Sequence, residues 1–267
     1  MALNTTLQKF YTEHGRGYLP WRKTKDAYKI LVSEMMLQQT QVERVIPKYH
    51  EFLHAFPTVN ALASAPFSKV LSHWSGLGYN RRAKFLHEAA KAAVKDFNGT
   101  LPYSVEKLLS LPGIGPYTAR AVAAFAHNQP VVFIETNIRT VFTHEYMHGK
   151  EGISDQELLP LIEKDLKRSK LPPREFYAAL MDYGSYLKRQ GVRINSRSKH
   201  YTKQSKFEGS ARQLRGAILR ELLQSPQSLD EIKKRSDRSI AEIERELARL
   251  LKENIILQKG KRFTLAK

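Results

Sequence analysis

Two glycines one residue apart, in Leu111-Pro112-Gly113-Ile114-Gly115-Pro116, constrain this chain more than any other feature, because they call for two helices joined by a very tight turn. Leu108, Leu109 and Leu111 close one apolar helix, Pro112 and Gly113 stop it, and Gly115 is read as permitting a backbone geometry that a side chain would obstruct. The next helix, through Tyr117, Thr118 and Arg120, opens on amides at its positive end. With no side chains at Gly113 and Gly115, a phosphate can approach those amides. An ordinary turn between two core helices fits the same residues.

Charge favours the phosphate. The 267 residues carry 44 Lys and Arg against 26 Asp and Glu, a formal +18, which predicts a polyanionic partner, double-stranded DNA first, bound in a salt-sensitive way. No apolar run approaches the roughly twenty residues that span a bilayer, and Met1-Ala2-Leu3-Asn4-Thr5-Thr6 lacks the form of a signal peptide. A soluble cytoplasmic monomer associated with the nucleoid, and no membrane partner, is therefore expected. The absence of cysteine excludes a disulfide, a thiol nucleophile and any cysteine-held zinc or iron-sulfur cluster. Nine histidines show no ligand spacing, so no metal site is expected.

From Asp26 to Phe125 apolar residues recur at helical spacing, cut by Pro57, Pro66, Gly76 to Gly78, Asn98-Gly99 and Pro102 into many short helices. Val131-Val132-Phe133-Ile134 has strand composition but is too short to decide. Between Tyr186 and Arg220 the helical pattern lapses and Lys188, Arg189, Arg193, Arg197, Lys199, Lys203, Lys206, Arg212 and Arg215 collect. This reads as a basic linker, either solvated surface or a phosphate track. Three apolar-periodic segments and a hairpin around Lys259-Gly260-Lys261 then resemble a winged helix. Its third helix, with Arg238, Arg245 and Arg249, is suited to a major groove, and a protein contact is the competing reading.

Glu34, in Ser33-Glu34-Met35-Met36-Leu37-Gln38-Gln39-Thr40-Gln41, is one carboxylate in an otherwise apolar and amide helix. A solvated turn or cap accounts for it. Partial desolvation instead raises its pKa and suits it to general acid work near neutral pH. Glu135, ahead of Thr136-Asn137, is a second carboxylate able to stay ionised beside developing positive charge.

Several motifs in register over residues 15 to 187 resemble the MutY-type adenine DNA glycosylases of the endonuclease III, helix-hairpin-helix superfamily. They are Leu19-Pro20-Trp21-Arg22, Ser33-Glu34 through Val42, Ile46-Pro47, Phe56-Pro57-Thr58-Val59, Gly76-Leu77-Gly78-Tyr79, Arg82-Ala83, the Leu111 to Ala121 hairpin and Met181-Asp182-Tyr183-Gly184. The resemblance implies an all-α, two-lobed helix-hairpin-helix glycosylase domain over 1–187, to which the residue patterns above add a basic linker over 188–211 and a winged-helix-like domain over 212–267. It implies flipping of a base and hydrolysis of its N-glycosidic bond, most simply of adenine in a mismatch. A thymine or uracil mismatch glycosylase, a glycosylase for another damaged base, and a structure-specific DNA-binding protein are the alternatives.

In that resemblance Glu34 is the catalytic acid and Glu135 falls where the family carries an aspartate facing the sugar cation. Asn137 completes that group. Tyr117 stands where lyase-active relatives have an imine-forming lysine, which implies a monofunctional enzyme. Trp21, Arg22 and Asp182 belong to the base pocket. Gln38, Gln39, Tyr79, Gly113, Gly115, Thr118, Arg139, Arg197 and Lys199 are expected at the DNA. The family's four-cysteine iron-sulfur loop and its 8-oxoguanine-reading domain are missing, so no cofactor is expected, with a monovalent cation at the hairpin left open.

Overall fold

The computed structural model describes residues 3–202 and 206–266; Lys203 of the basic segment lies outside the described residues. In chain order the helices are α1 (Leu3–His14), α2 (Ala27–Leu37), α3 (Val42–Ala55), α4 (Val59–Ser64), α5 (Phe67–Trp74), α6 (Arg81–Phe97), α7 (Val105–Leu109), α8 (Pro116–His127), α9 (Thr136–Tyr146), α10 (Asp155–Arg168) and α11 (Pro173–Arg189). After them come α12 (Ala211–Gln224), β1 (Gln227–Ser228), α13 (Leu229–Lys234), α14 (Ile240–Lys252), β2 (Ile256–Lys259) and β3 (Arg262–Leu265).

Local chemistry sets many of these boundaries. Hydroxyls of Thr58, Ser104 and Ser210 accept an amide hydrogen from the first turns of α4, α7 and α12. Ser154 with Glu157, Ser228 with Glu231 and Ser239 with Glu242 form reciprocal capping boxes on α10, α13 and α14. Asn98 and Asn128 close α6 and α8 in the left-handed region.

The chain forms two compact units. The first gathers Met1–Glu34, Pro102–Ser110 and Ile114–Lys203. Its core centres on α11, which packs on α9 and α1 and buries Phe176, Tyr177 and Leu180 with Phe142 and Leu7; each such apolar side chain contributes about 1.5–3 kcal/mol. Gly184 permits the closest of these approaches, since a Cβ there would lie 2.3 Å from the Asn137 carbonyl oxygen.

The second unit gathers Met35–Leu101, Leu111–Gly113 and Gln204–Lys267. Trp74, Phe52 and Phe56 fill its helical core. Arg82, buried with them, donates to the carbonyls of Met35, Met36, Gln38, Leu77 and Gly78. It thereby satisfies acceptors that the end of α2 leaves without intrahelical partners. At the carboxyl end α12, α13 and α14 pack with an antiparallel sheet of order β1-β3-β2, a winged-helix arrangement with Gly260 at the tip of the β2–β3 wing.

Two local expectations, at Tyr186 and at Gly115, need correction, and the undecided segment Val131–Ile134 is resolved. Helical structure does not lapse at Tyr186: α11 continues to Arg189 and α12 begins at Ala211, because buried Leu187 keeps the packed face going and Lys188 and Arg189 suit the negative end of a helix. Val131–Ile134 forms no strand. The Tyr177 hydroxyl donates to the Val131 carbonyl at 2.7 Å and accepts the Phe133 amide at 3.4 Å, while its ring stacks on Phe133, so one side chain replaces a neighbouring strand. Gly115 has an ordinary φ of −86° and open space around a built Cβ. Of the two hairpin glycines it is Gly113 that the fold requires, at φ +72° with a Cβ position 2.3 Å from Phe85. Gly113→Val is expected to destabilise the protein by more than about 1 kcal/mol, and Gly115→Ala to leave thermal unfolding unchanged; calorimetry of the two variants checks both.

Candidate active site

Glu34 enters the first unit from α2, a helix buried on all sides here: Ile30, Leu31, Val32, Ser33, Met35 and Met36 are all inaccessible and Glu34 itself is 5 % exposed. Its Oε2 accepts a 2.7 Å hydrogen bond from the Tyr117 hydroxyl, which the second residue of α8 supplies. Burial pushes the Glu34 carboxyl up to about 7; the Tyr117 bond opposes that rise, the Glu135 charge adds to it and the Arg22 charge opposes it. Burial, together with the Glu34 and Glu135 charges, holds the Tyr117 hydroxyl well above the ordinary phenol range. At neutral pH the pair is one phenol and a carboxyl shared between its two protonation states.

Glu135 is the N-cap of α9. Its Oε1 accepts the amides of Asn137 and Ile138 at 2.7 and 3.0 Å, and its Oε2 accepts Asn137 Nδ2 at 3.3 Å. The carboxylate is thus turned back on the positive end of its own helix, where negative charge is favoured. Asn137 is held in turn by Lys188 Nζ, which donates to its Oδ1 at 2.8 Å. Burial brings the Lys188 ammonium below the usual lysine range, the Glu135 charge resisting.

Asp182 is 2 % exposed. It accepts from the Arg16 amide and Nε at 2.8 and 2.7 Å and from both terminal nitrogens of Arg22 at 3.2 and 3.0 Å. Arg174 adds a bond to the Arg22 carbonyl, and Trp21 beside it is buried. Asp182 is therefore the anchor of Arg22, which acts electrostatically on Glu34.

The first unit brings Glu34, Tyr117, Glu135, Asn137, Trp21, Arg22 and Asp182 together, and Thr118 is buried in α8. Two of the expected DNA cations are engaged within the protein: Arg139 makes a two-pronged bond to Asp155, and Arg197 donates to the carbonyls of Met147 and Lys150. Lys199 is exposed. In the second unit exposed Gln39 and half-buried Gln38 and Tyr79 line a recess of about 520 Å³ with Arg81, Phe85 and Gly113.

Three contributors carry no assigned role in the sequence reading. Lys188 lies one turn after Gly184, a placement legible only once α11 is extended that far. Arg82 stands inside a quoted motif, but its carbonyl partners are set by tertiary structure. Arg16 gives no signal, being 166 residues from Asp182.

Where an iron-sulfur loop is expected in this family, residues 186–202 have no thiol. The described part of that segment is tied down instead by a bridge between Ile153 and Ser198, by Arg197, and by Asn195, which accepts from the Thr140 hydroxyl. These residues do not fit a thiolate-held cluster. Among the described residues no group of three or more potential ligands could hold a metal ion, and no helix is long and apolar enough to cross a membrane.

The description "HhH-GPD superfamily base excision DNA repair protein" matches residues 32–166. An adenine DNA glycosylase of Mycolicibacterium smegmatis is 42 % identical over 174 residues, 65 % of this chain and 59 % of that protein. One of Buchnera aphidicola subsp. Baizongia pistaciae is 36 % identical over 186 residues, 68 % and 52 %. The chain thus spans between half and three fifths of the length of these relatives. Among solved structures, a thermostable thymine-DNA glycosylase superposes with a TM-score of 0.59 at 27 % identity, covering 68 % of this chain and 84 % of that one. The 3-methyladenine DNA glycosylase MagIII of H. pylori superposes with a TM-score of 0.58 at 20 % identity over 72 % and 97 %, a likeness of fold. With a matched region covering half its length and the paired acids and hairpin lying within it, the chain belongs to the HhH-GPD superfamily of base excision DNA repair proteins.

Proposed function

We propose that this protein is a DNA glycosylase that flips a base out of double-stranded DNA and hydrolyses its N-glycosidic bond, with adenine in a mispair as the preferred substrate. The observation that carries the reading is the buried Glu34 carboxyl, pushed to about 7 and bonded to Tyr117. Protonated Glu34 donates to a ring nitrogen of the extruded purine, so the base leaves neutral. Glu135, charged and held on the α9 amides, stabilises the cationic sugar until water adds to C1′. Folding back as a cap accommodates the methylene by which Glu135 exceeds the family aspartate. The hairpin amides, exposed Lys199, Arg189 and Arg193, and the winged-helix surface supply phosphate contacts, with the protein acting as a monomer in the cytoplasm, on the nucleoid. The relatives named adenine DNA glycosylase, at 36–42 % identity, support the choice of base.

Release assays on duplexes with different mispairs test the assignment; excision of another base in preference to adenine overturns the substrate. A thymine or uracil mismatch is the second reading, favoured by the 27 % identical thymine-DNA glycosylase. Because only the protonated acid works, single-turnover base release is expected to fall about tenfold per pH unit above about pH 7. A rate that stays flat to pH 9 contradicts that role.

Tyr117 has no amine with which to attack the sugar. Borohydride reduction during turnover is expected to trap no protein–DNA adduct, and adduct formation at wild-type rates of base release overturns the monofunctional assignment.

A further inference from the structure

Tyr79 is the one aromatic residue with a positive φ among the described residues. It follows Gly76 and Gly78, at φ +91° and +70°, and itself holds φ +47°, a conformation uncommon for a bulky residue and kept only where the surroundings over-determine it. Part of that determination is internal to the helical core. Buried Arg82 takes the carbonyls of Leu77 and Gly78, and its guanidinium lies 5.3 Å from the Tyr79 ring. The other part comes from the carboxyl-terminal segment. Arg212 donates to the Tyr79 hydroxyl at 2.8 Å and places its guanidinium 5.1 Å from the ring.

The backbone of Arg212 is itself fixed. It sits in the first turn of α12, where Ser210 caps the Gln213 amide and Gln213 Oε1 accepts the Gly209 amide, and Leu214 and Ile218 bury the helix behind it. Lys84 Nζ donates to the Glu253 carbonyl, and Arg215 joins Glu246 and Glu253, so α14 is bound to the same surface. The winged-helix elements therefore meet the turn that carries Tyr79 through Arg212, and meet α6 beside it through Lys84.

Resting on the reading above, in which the protein flips a base out of the duplex and Tyr79 is one of the residues expected at the DNA, we infer that Tyr79 is the side chain that enters the opened base step and that Arg212, in the carboxyl-terminal segment, is a positioning residue that presets it. A planar guanidinium can stack on the ring while bonding its hydroxyl; a lysine ammonium cannot do both. Holding the ring in its strained backbone conformation before encounter lowers the ordering cost of insertion. Arg212 acts through Tyr79 and not through phosphate charge.

The test uses full-length protein and a duplex with 2-aminopurine beside a mispaired adenine, whose emission rises when the step is unstacked. In the wild type that rise is expected on binding. Tyr79→Ala and Arg212→Ala should each reduce it by on the order of tenfold, and the double variant should fall no further than Tyr79→Ala alone. Arg212→Lys, which keeps the charge, should behave nearly as Arg212→Ala. Additive losses in the double variant, or wild-type behaviour of Arg212→Lys, overturn the inference and leave the glycosylase reading intact. A wild-type protein that binds the duplex without any rise in emission overturns the base-flipping reading and the inference with it.

Discussion

Glu34→Gln is expected to abolish base release, by about a thousandfold or more in single-turnover rate, while duplex affinity and the fold are retained. General acid catalysis by a positioned side chain contributes about a hundred- to ten-thousandfold, and a carboxamide has no acidic proton to transfer. The substitution nevertheless suits the pocket: it is isosteric, and an amide oxygen can still accept the Tyr117 hydroxyl bond that Glu34 accepts at 2.7 Å. The sign of its effect on stability separates catalysis from packing. Because the folded-state pKa of Glu34, about 7, lies above its ordinary 4.5, the native protein holds a proton that the unfolded chain has lost. That contribution is full below about pH 4.5 and disappears as pH rises through about 7. Glutamine has no such dependence, so at pH 8 the variant should be at least as stable as wild type. Release from alkali-treated duplexes and denaturant unfolding at pH 5 and 8 measure both halves. Equal cleavage by the two proteins would end the case for Glu34 as the acid.

Asp182→Ala should produce the largest loss of stability of any change at the site, roughly 3–5 kcal/mol. The carboxylate is buried and receives four hydrogen bonds from Arg16 and Arg22; removing it leaves two guanidiniums without their shared counter-charge. The damage also reaches catalysis, because released Arg22 no longer holds its place among the charges acting on Glu34. Asp182→Asn keeps the volume and some bonds and should lose less. Urea unfolding orders the three proteins, and an alanine variant within 1 kcal/mol of wild type would contradict the anchoring role.

Much of the site was legible in one dimension for reasons that can be named. Glu34 stood out as a carboxylate inside an apolar stretch, and the hairpin by its proline and glycines, because both violate or punctuate a local pattern. The Ser-x-x-Glu spacing of the capping boxes on α10, α13 and α14 is also present in the sequence, although no expectation was drawn from it. The same local logic misled at Gly115, where a motif glycine was taken to be required by the backbone, and at Tyr186, where a run of positive charge hid the continuing helix. Charge density says little about periodicity: in the last turn of α11 exposed Arg189 follows Lys188, which turns to Asn137, and Leu187, which is buried.

What the sequence alone determined was composition-level and local: a basic, cysteine-free, mainly helical chain with one hairpin, two candidate acids and a terminal winged-helix pattern. Tertiary structure decided the chemistry of those residues. Burial by α2's neighbours sets the Glu34 proton, the α9 amides and Lys188 hold Glu135 and Asn137, Arg16 and Arg22 claim Asp182, and Arg212 meets Tyr79 across 133 residues of chain. Periodicity and turn chemistry act over a few residues, whereas desolvation and the partnering of charges depend on groups that the chain brings together only when it folds.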